Sequence, residues 1–198
     1  MRLTLPPPGV EAVLLAVVLG AAVYDVRYRR IPNWLTVGGV LIGVVLNTFL
    51  FQGWPAGLRF STFLVDAWPG MRFSLMGLAI GFGVYFVLYV LRAMGAGDVK
   101  LMAAIGSLVG WQDWFGIFIV TAIVGGIMSI ILVTVRGRVK KTLWNVGFIM
   151  SEMKSGRPGY VGKEELDVKH PKAMGLPHGA VIAVGTIFFL ALSARLSQ

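Results

Sequence analysis

Long, nearly uncharged apolar blocks run through this sequence, and they leave its backbone few choices. A peptide N–H or C=O in hydrocarbon has no water to bond, so a segment entering a bilayer satisfies its polar groups internally, as an α-helix does. The blocks are too long and too continuous for amphipathic surface helices. Composition agrees, with 57% hydrophobic against 14% charged residues and a mean hydropathy of +0.79. The chain reads as an all-α integral membrane protein, a bundle of about six transmembrane helices, in a single membrane-embedded domain over residues 1–198.

Six spans are expected, at about 10–24, 34–51, 74–91, 95–111, 114–135 and 179–194. A full crossing takes about 20 residues of helix, so the first, fourth and sixth are short and must recruit flanking residues, thin the bilayer or cross only in part. An even number of spans places both termini on one side. Segments 25–33, 92–100 and 136–178 hold fourteen of the 18 Lys and Arg residues and the opposite face holds four, so the basic segments are expected in the cytoplasm and both termini outside. Without the 136–178 loop the count is five to four. The expected location is the plasma (inner) membrane. The first span is not a signal peptide, because its basic cluster "RYRR" follows the apolar stretch instead of preceding it. In the loop, "KKTLWNVGFIMSEMK" reads as an amphipathic helix along the cytoplasmic interface or, equally well, as a solvated connector.

The absence of cysteine excludes a disulfide framework, a thiolate zinc site and a cysteine nucleophile. No metal and no cofactor are expected. A net charge of +9 would point to nucleic acid in a soluble protein, but here the basic residues report orientation, and no nucleic-acid partner is expected.

Seven of the nine acidic residues fall at outer boundaries (Glu11, Asp66, Asp113) or in the large loop. Asp25 and Asp98 remain, each at the end of a short apolar core on the cytoplasmic side. A carboxylate in or near hydrocarbon costs about 2.5–3.5 kcal/mol even on lenient insertion scales, so it usually serves a function or meets a partner such as Arg27, Arg30 or Lys100. Two carboxylates brought together in a low-dielectric site hold one proton between them, which is the arrangement of an aspartic protease. Gly95 and Gly97 precede Asp98 and would let another backbone approach closely, although glycine also serves plain helix packing and this chain has 26. Pro32 and Asn33 suit a helix start and are expected to cap the second span.

Three stretches, "DVRYRRIPNWLT" (25–36), "GAGDVKLMAAIG" (95–106) and "GLPHGAVIAVG" (175–185), resemble in order the signature stretches of the prepilin and preflagellin peptidase family. The resemblance implies a membrane-embedded aspartic endopeptidase of the GxGD type that cuts the leader from prepilin-like precursors at the cytoplasmic face. Asp25 and Asp98 would then be the catalytic pair, with Gly95, Gly97, Lys100, Pro32 and Asn33 supporting the motifs. The expected partners are a precursor with an N-terminal leader and an apolar helix, and the lipid bilayer. Bifunctional members are larger, with a cysteine-rich insertion and N-methyltransferase activity; this chain looks more like the short peptidases of Flp/Tad-type pilus systems or their archaeal relatives. His178 stands where the family often has tyrosine, and is read as an interfacial residue outside the catalytic set.

Other readings of the same residues are a proton-coupled transporter, which inverted repeats would support and which the sequence does not display, and a non-catalytic pilus assembly factor. A presenilin-like intramembrane protease would be expected to carry a "PAL" stretch where this chain has "LPHG".

Overall fold

The computed structural model describes residues 6–50, 63–137, 139–154 and 177–196. Among these there are six helices and no strand: α1 (Pro8–Tyr28), α2 (Asn33–Leu50), α3 (Phe63–Val90), α4 (Ala96–Val135), α5 (Val139–Lys154) and α6 (His178–Leu196). Four of them, α1, α3, α4 and α6, are long and apolar enough to cross a membrane, and α2 is a shorter apolar helix. The chain is an all-α membrane protein.

Helix α4 resolves the two central spans. As one straight rod its 40 residues would be about 60 Å long, twice the roughly 30 Å hydrocarbon core. It is not straight. Gly110 has φ 74° and ψ 177°, outside helical geometry. Trp114 Nε1 donates to the carbonyl oxygen of Met102 at 3.1 Å, although twelve residues of continuous helix would hold the two about 18 Å apart. The chain therefore doubles back at Gly110, and α4 is two arms, 96–109 and 111–135, in agreement with the separate spans expected at 95–111 and 114–135. A Cβ at Gly110 would both strain its backbone and overlap the ring of Phe73.

The reversal strands carbonyls at the end of the first arm, and neighbouring helices satisfy them. Asn47 of α2 donates to Ser107 O (2.8 Å) and Leu108 O (2.9 Å), and Ser74 of α3 donates to Ser107 O (2.6 Å). In a dry bundle such groups cost several kcal/mol each if left unpaired. The first arm is the centre of the molecule, with every residue from Leu101 to Gly110 buried. It packs closely on α3 because Gly77 and Gly106 face each other, and a Cβ on either would overlap the other's carbonyl oxygen.

Helix α3 begins at Phe63, well before the expected start at 74, and carries Pro69 inside it. Charge at Asp66 and Arg72 ends the hydropathy signal there, whereas the backbone hydrogen bonding continues through it. Asp113, expected at an outer boundary, lies just past the Gly110 turn. Within the 136–178 loop, residues 139–154 form α5, whose exposed Leu143, Trp144 and Val146 accompany Lys140. Residues 138 and 155–176 of that loop lie outside the described residues, as do residue 51 of the second expected span and the two terminal tips.

Candidate active site

Asp25 lies near the C-terminal end of α1. That helix stops when Arg29 turns into the left-handed region (φ 54°), its N–H donating to Asp25 O at 2.9 Å. Ile31 precedes a proline and is therefore steered away from helix, so α2 starts only at Asn33. The Pro32 carbonyl accepts from the N–H groups of Leu35 (3.2 Å) and Thr36 (3.4 Å), which makes it part of the helix start as expected. Asn33 does something other than the expected capping. Its Oδ1 accepts a hydrogen bond from Lys100 Nζ at 2.8 Å, tying the entry of α2 to the first turn of α4.

Asp98 occupies the first turn of α4. Gly95 is the N-cap, and its N–H donates to Asp98 Oδ2 at 3.1 Å while the Asp98 N–H donates to Gly95 O at 3.2 Å. With no side chain on Gly95, this is one half of a capping box, closed by the carboxylate alone. A Cβ at Gly95 would stand 3.3 Å from that carboxylate oxygen.

Ile31 is what joins the two motifs. A Cβ on Gly97 would meet Ile31 Cβ at 3.3 Å, and a Cβ on Gly179 would meet Ile31 Cδ1 at 3.1 Å. The side chain of the α1–α2 connection thus plugs the space between the starts of α4 and α6, in room that both glycines leave open. Asp25, Ile31, Gly97 and Asp98 line one cleft.

Helix α6 supplies the remaining element. The Gly179 N–H donates to Asp25 Oδ2 at 2.7 Å, so the carboxylate of α1 faces the positive end of α6 while that of Asp98 sits at the positive end of α4. His178, the first residue of α6, lies within electrostatic reach of Asp98, as does Asp25. The sequence reading did not give Gly179 a role; its place in the "LPHG" stretch was the available signal.

Both carboxylates are nearly buried, Asp25 at 9% and Asp98 at 8% exposure. Neither forms an ion pair among the described residues, so the partners Arg27, Arg30 and Lys100 considered for them do not account for their position. Each has one oxygen engaged by a backbone N–H, and no protein hydrogen bond reaches the other oxygen among those residues. A cleft of about 710 Å³ opens onto the pair, lined also by Tyr24, Tyr28, Arg30, Pro32, Asn33 and Lys100. The arrangement is that of two nearly buried carboxylates, each with one oxygen that no other described residue bonds, lining one cleft in an apolar helix bundle.

A membrane protein with such a pair belongs to a recognisable class, and sequence comparison places it. Residues 12–130 match the type IV leader peptidase family, and the chain belongs to that family. It is similar to the prepilin leader peptidase/N-methyltransferase of Myxococcus xanthus (28% identical over 133 residues, 64% of this chain and 35% of the relative). It is also similar to the proteins of that name from Aeromonas hydrophila (30% over 124 residues, 53% and 43%) and Pseudomonas aeruginosa (28% over 118 residues, 60% and 38%). The chain thus spans well under half the length of each of these relatives. No solved structure matches it.

Proposed function

We propose that the chain is an aspartic endopeptidase that removes the leader from a prepilin-like precursor, with Asp25 and Asp98 as the catalytic pair, and that residues 1–198 act as one peptidase domain. The observation that carries this reading is the pair itself: two nearly buried carboxylates, in no ion pair among the described residues, line one cleft. Family membership and the activity for which the relatives are named support the substrate class.

With one proton between the two carboxyls, the ionised one takes a proton from water and the resulting hydroxide oxygen attacks the scissile carbonyl carbon. The protonated carboxyl hydrogen-bonds the carbonyl oxygen as it gains charge. When the C–N bond breaks, the leaving nitrogen takes a proton from the pair, giving a leader that ends in a carboxylate and a new N-terminal amine. The backbone N–H groups of Gly95 and Gly179 hold one oxygen of each carboxyl, which fixes the direction of the other toward the cleft. Burial strengthens each of these interactions relative to water.

The site lies on the cytoplasmic side in this reading. Asp25, Asp98 and the start of α6 share one end of the bundle, and Arg29, Arg30 and Lys100 of the basic segments 25–33 and 92–100 line the same cleft. The Gly110 turn, followed by Trp111, Gln112 and Asp113, then lies at the outer interface, with both termini outside. Asp98 is about 18 Å of helix rise from that turn, less than the hydrocarbon thickness, so the carboxylates sit inside the cytoplasmic edge and meet a peptide bond next to an apolar helix.

The test is release of the leader from a prepilin incubated with the protein in liposomes, read by mass spectrometry. A leader fragment of one defined length is the expected product. An uncut prepilin in the presence of correctly folded protein would contradict the reading.

A further inference from the structure

A second cavity, of about 290 Å³, lies between α3, the second arm of α4 and α6, with Tyr85, Phe118, Thr121, Gly125, Gly126 and His178 among its walls. We propose that this groove seats the apolar helix that follows the scissile bond in the precursor. The proposal rests on the peptidase reading above and adds to it the surface by which the substrate is held.

Continuity with the carboxylates is the first argument. Tyr85 of α3 and His178 of α6 line the groove. His178 also directly precedes Gly179, which holds Asp25. The start of α6 thus has the groove on one residue and Asp25 on the next. The two spaces differ as the two halves of such a precursor differ: Asn33, Arg30 and Lys100 line the cleft, while aromatic, aliphatic and small residues line the groove.

Small residues on the groove wall leave room for a helix backbone. Gly126 has open space where a Cβ would stand, with nothing within 4 Å. Hydrocarbon gains nothing by leaving one apolar surface for another, so affinity here depends on close backbone approach, which small residues permit. The flank has length as well as width. From Thr121 to Val135 the arm runs about 21 Å, and Ile130, Ile131 and Val135 in its last turns are exposed.

The chain contains no cysteine, which makes the test direct. The Asp98→Asn variant holds substrate without turning it over. In that background Gly126→Cys is paired with a prepilin carrying one introduced cysteine within two turns after the scissile bond, and oxidised in membranes. Val45→Cys, on an exposed face of α2, is the comparison. At least a tenfold higher disulfide yield at Gly126 than at Val45 is expected. Equal yields, or no adduct at Gly126, would overturn the groove; the latter is the result if lipid occupies it. Cleavage of the same prepilin by the protein with Asp98 intact is read in parallel. A prepilin that is cut but does not cross-link at Gly126 refutes the groove and leaves the peptidase standing. One that cross-links there but is never cut refutes the peptidase and leaves a binding groove.

Discussion

The backbone N–H of Gly179 donates to Oδ2 of Asp25 across 2.7 Å, joining residues 154 positions apart in the sequence. The contact needs glycine. A Cβ at residue 179 would stand 3.0 Å from Asp25 Cβ and 3.1 Å from both Asp25 Oδ2 and Ile31 Cδ1. Gly179→Ala is therefore expected to displace the carboxylate by a fraction of an ångström and to lower turnover roughly 10- to 100-fold, since sub-ångström errors in placement carry such costs. The protein should remain folded. Turnover measured beside thermal unfolding checks both parts, and unchanged turnover would remove Gly179 from the account.

Gly97 is expected to act through Ile31 rather than on Asp98 directly. In Gly97→Val the added atoms would meet Ile31, whose Cβ already stands 3.3 Å from the position of a Cβ. Turnover should fall, and the double variant Gly97→Val with Ile31→Ala should recover part of it. Strictly additive losses in a double-mutant cycle would show that the two residues do not share this space.

Asn47 is expected to matter for stability alone. Its amide serves the Ser107 and Leu108 carbonyls at the end of the first arm of α4. Asn47→Leu leaves buried acceptors short of a donor and should destabilise the protein by about 1–3 kcal/mol. Unfolding in detergent measures this, and a variant as stable as the parent would mean that other donors replace the amide.

These residues show where sequence reading succeeds and where it stops. Apolar run length identified the helices, because hydrocarbon requires internal hydrogen bonding of whatever crosses it. Asp25 and Asp98 stood out because an acid in such a run is costly. What did not show was anything set by contacts between distant segments. The bond from Lys100 to Asn33 replaced an expected cap, because helix starts have a local signature and a partner 67 residues away has none. Asn47 and Ser74 passed as ordinary polar residues in apolar helices, and only the reversal at Gly110 explains them. The resemblance to the peptidases agrees with the family match over residues 12–130, which takes in the first two of the three stretches, 25–36 and 95–106.

Orientation follows from the distribution of basic residues. The stretch 27–30 and helix α5 are expected on the cytoplasmic side, and Gln198 outside. Single cysteines at Lys140 and Gln198, labelled from outside with a membrane-impermeant maleimide, test this in a chain with no other thiol. Labelling at residue 198 alone is the expected pattern, and labelling at residue 140 alone would invert the orientation.

In the proposed mechanism Asp25 and Asp98 work as one unit. Leader release from a prepilin by Asp25→Asn, Asp98→Asn and the double variant tests it most directly. An amide keeps the size of the carboxyl but cannot accept the proton from water. Each single variant is expected to lose about a thousandfold or more in turnover, with the double variant no worse than either, because residues that act as a unit are not additive. A single variant that inserts, folds and keeps near wild-type turnover would contradict the two-carboxylate mechanism.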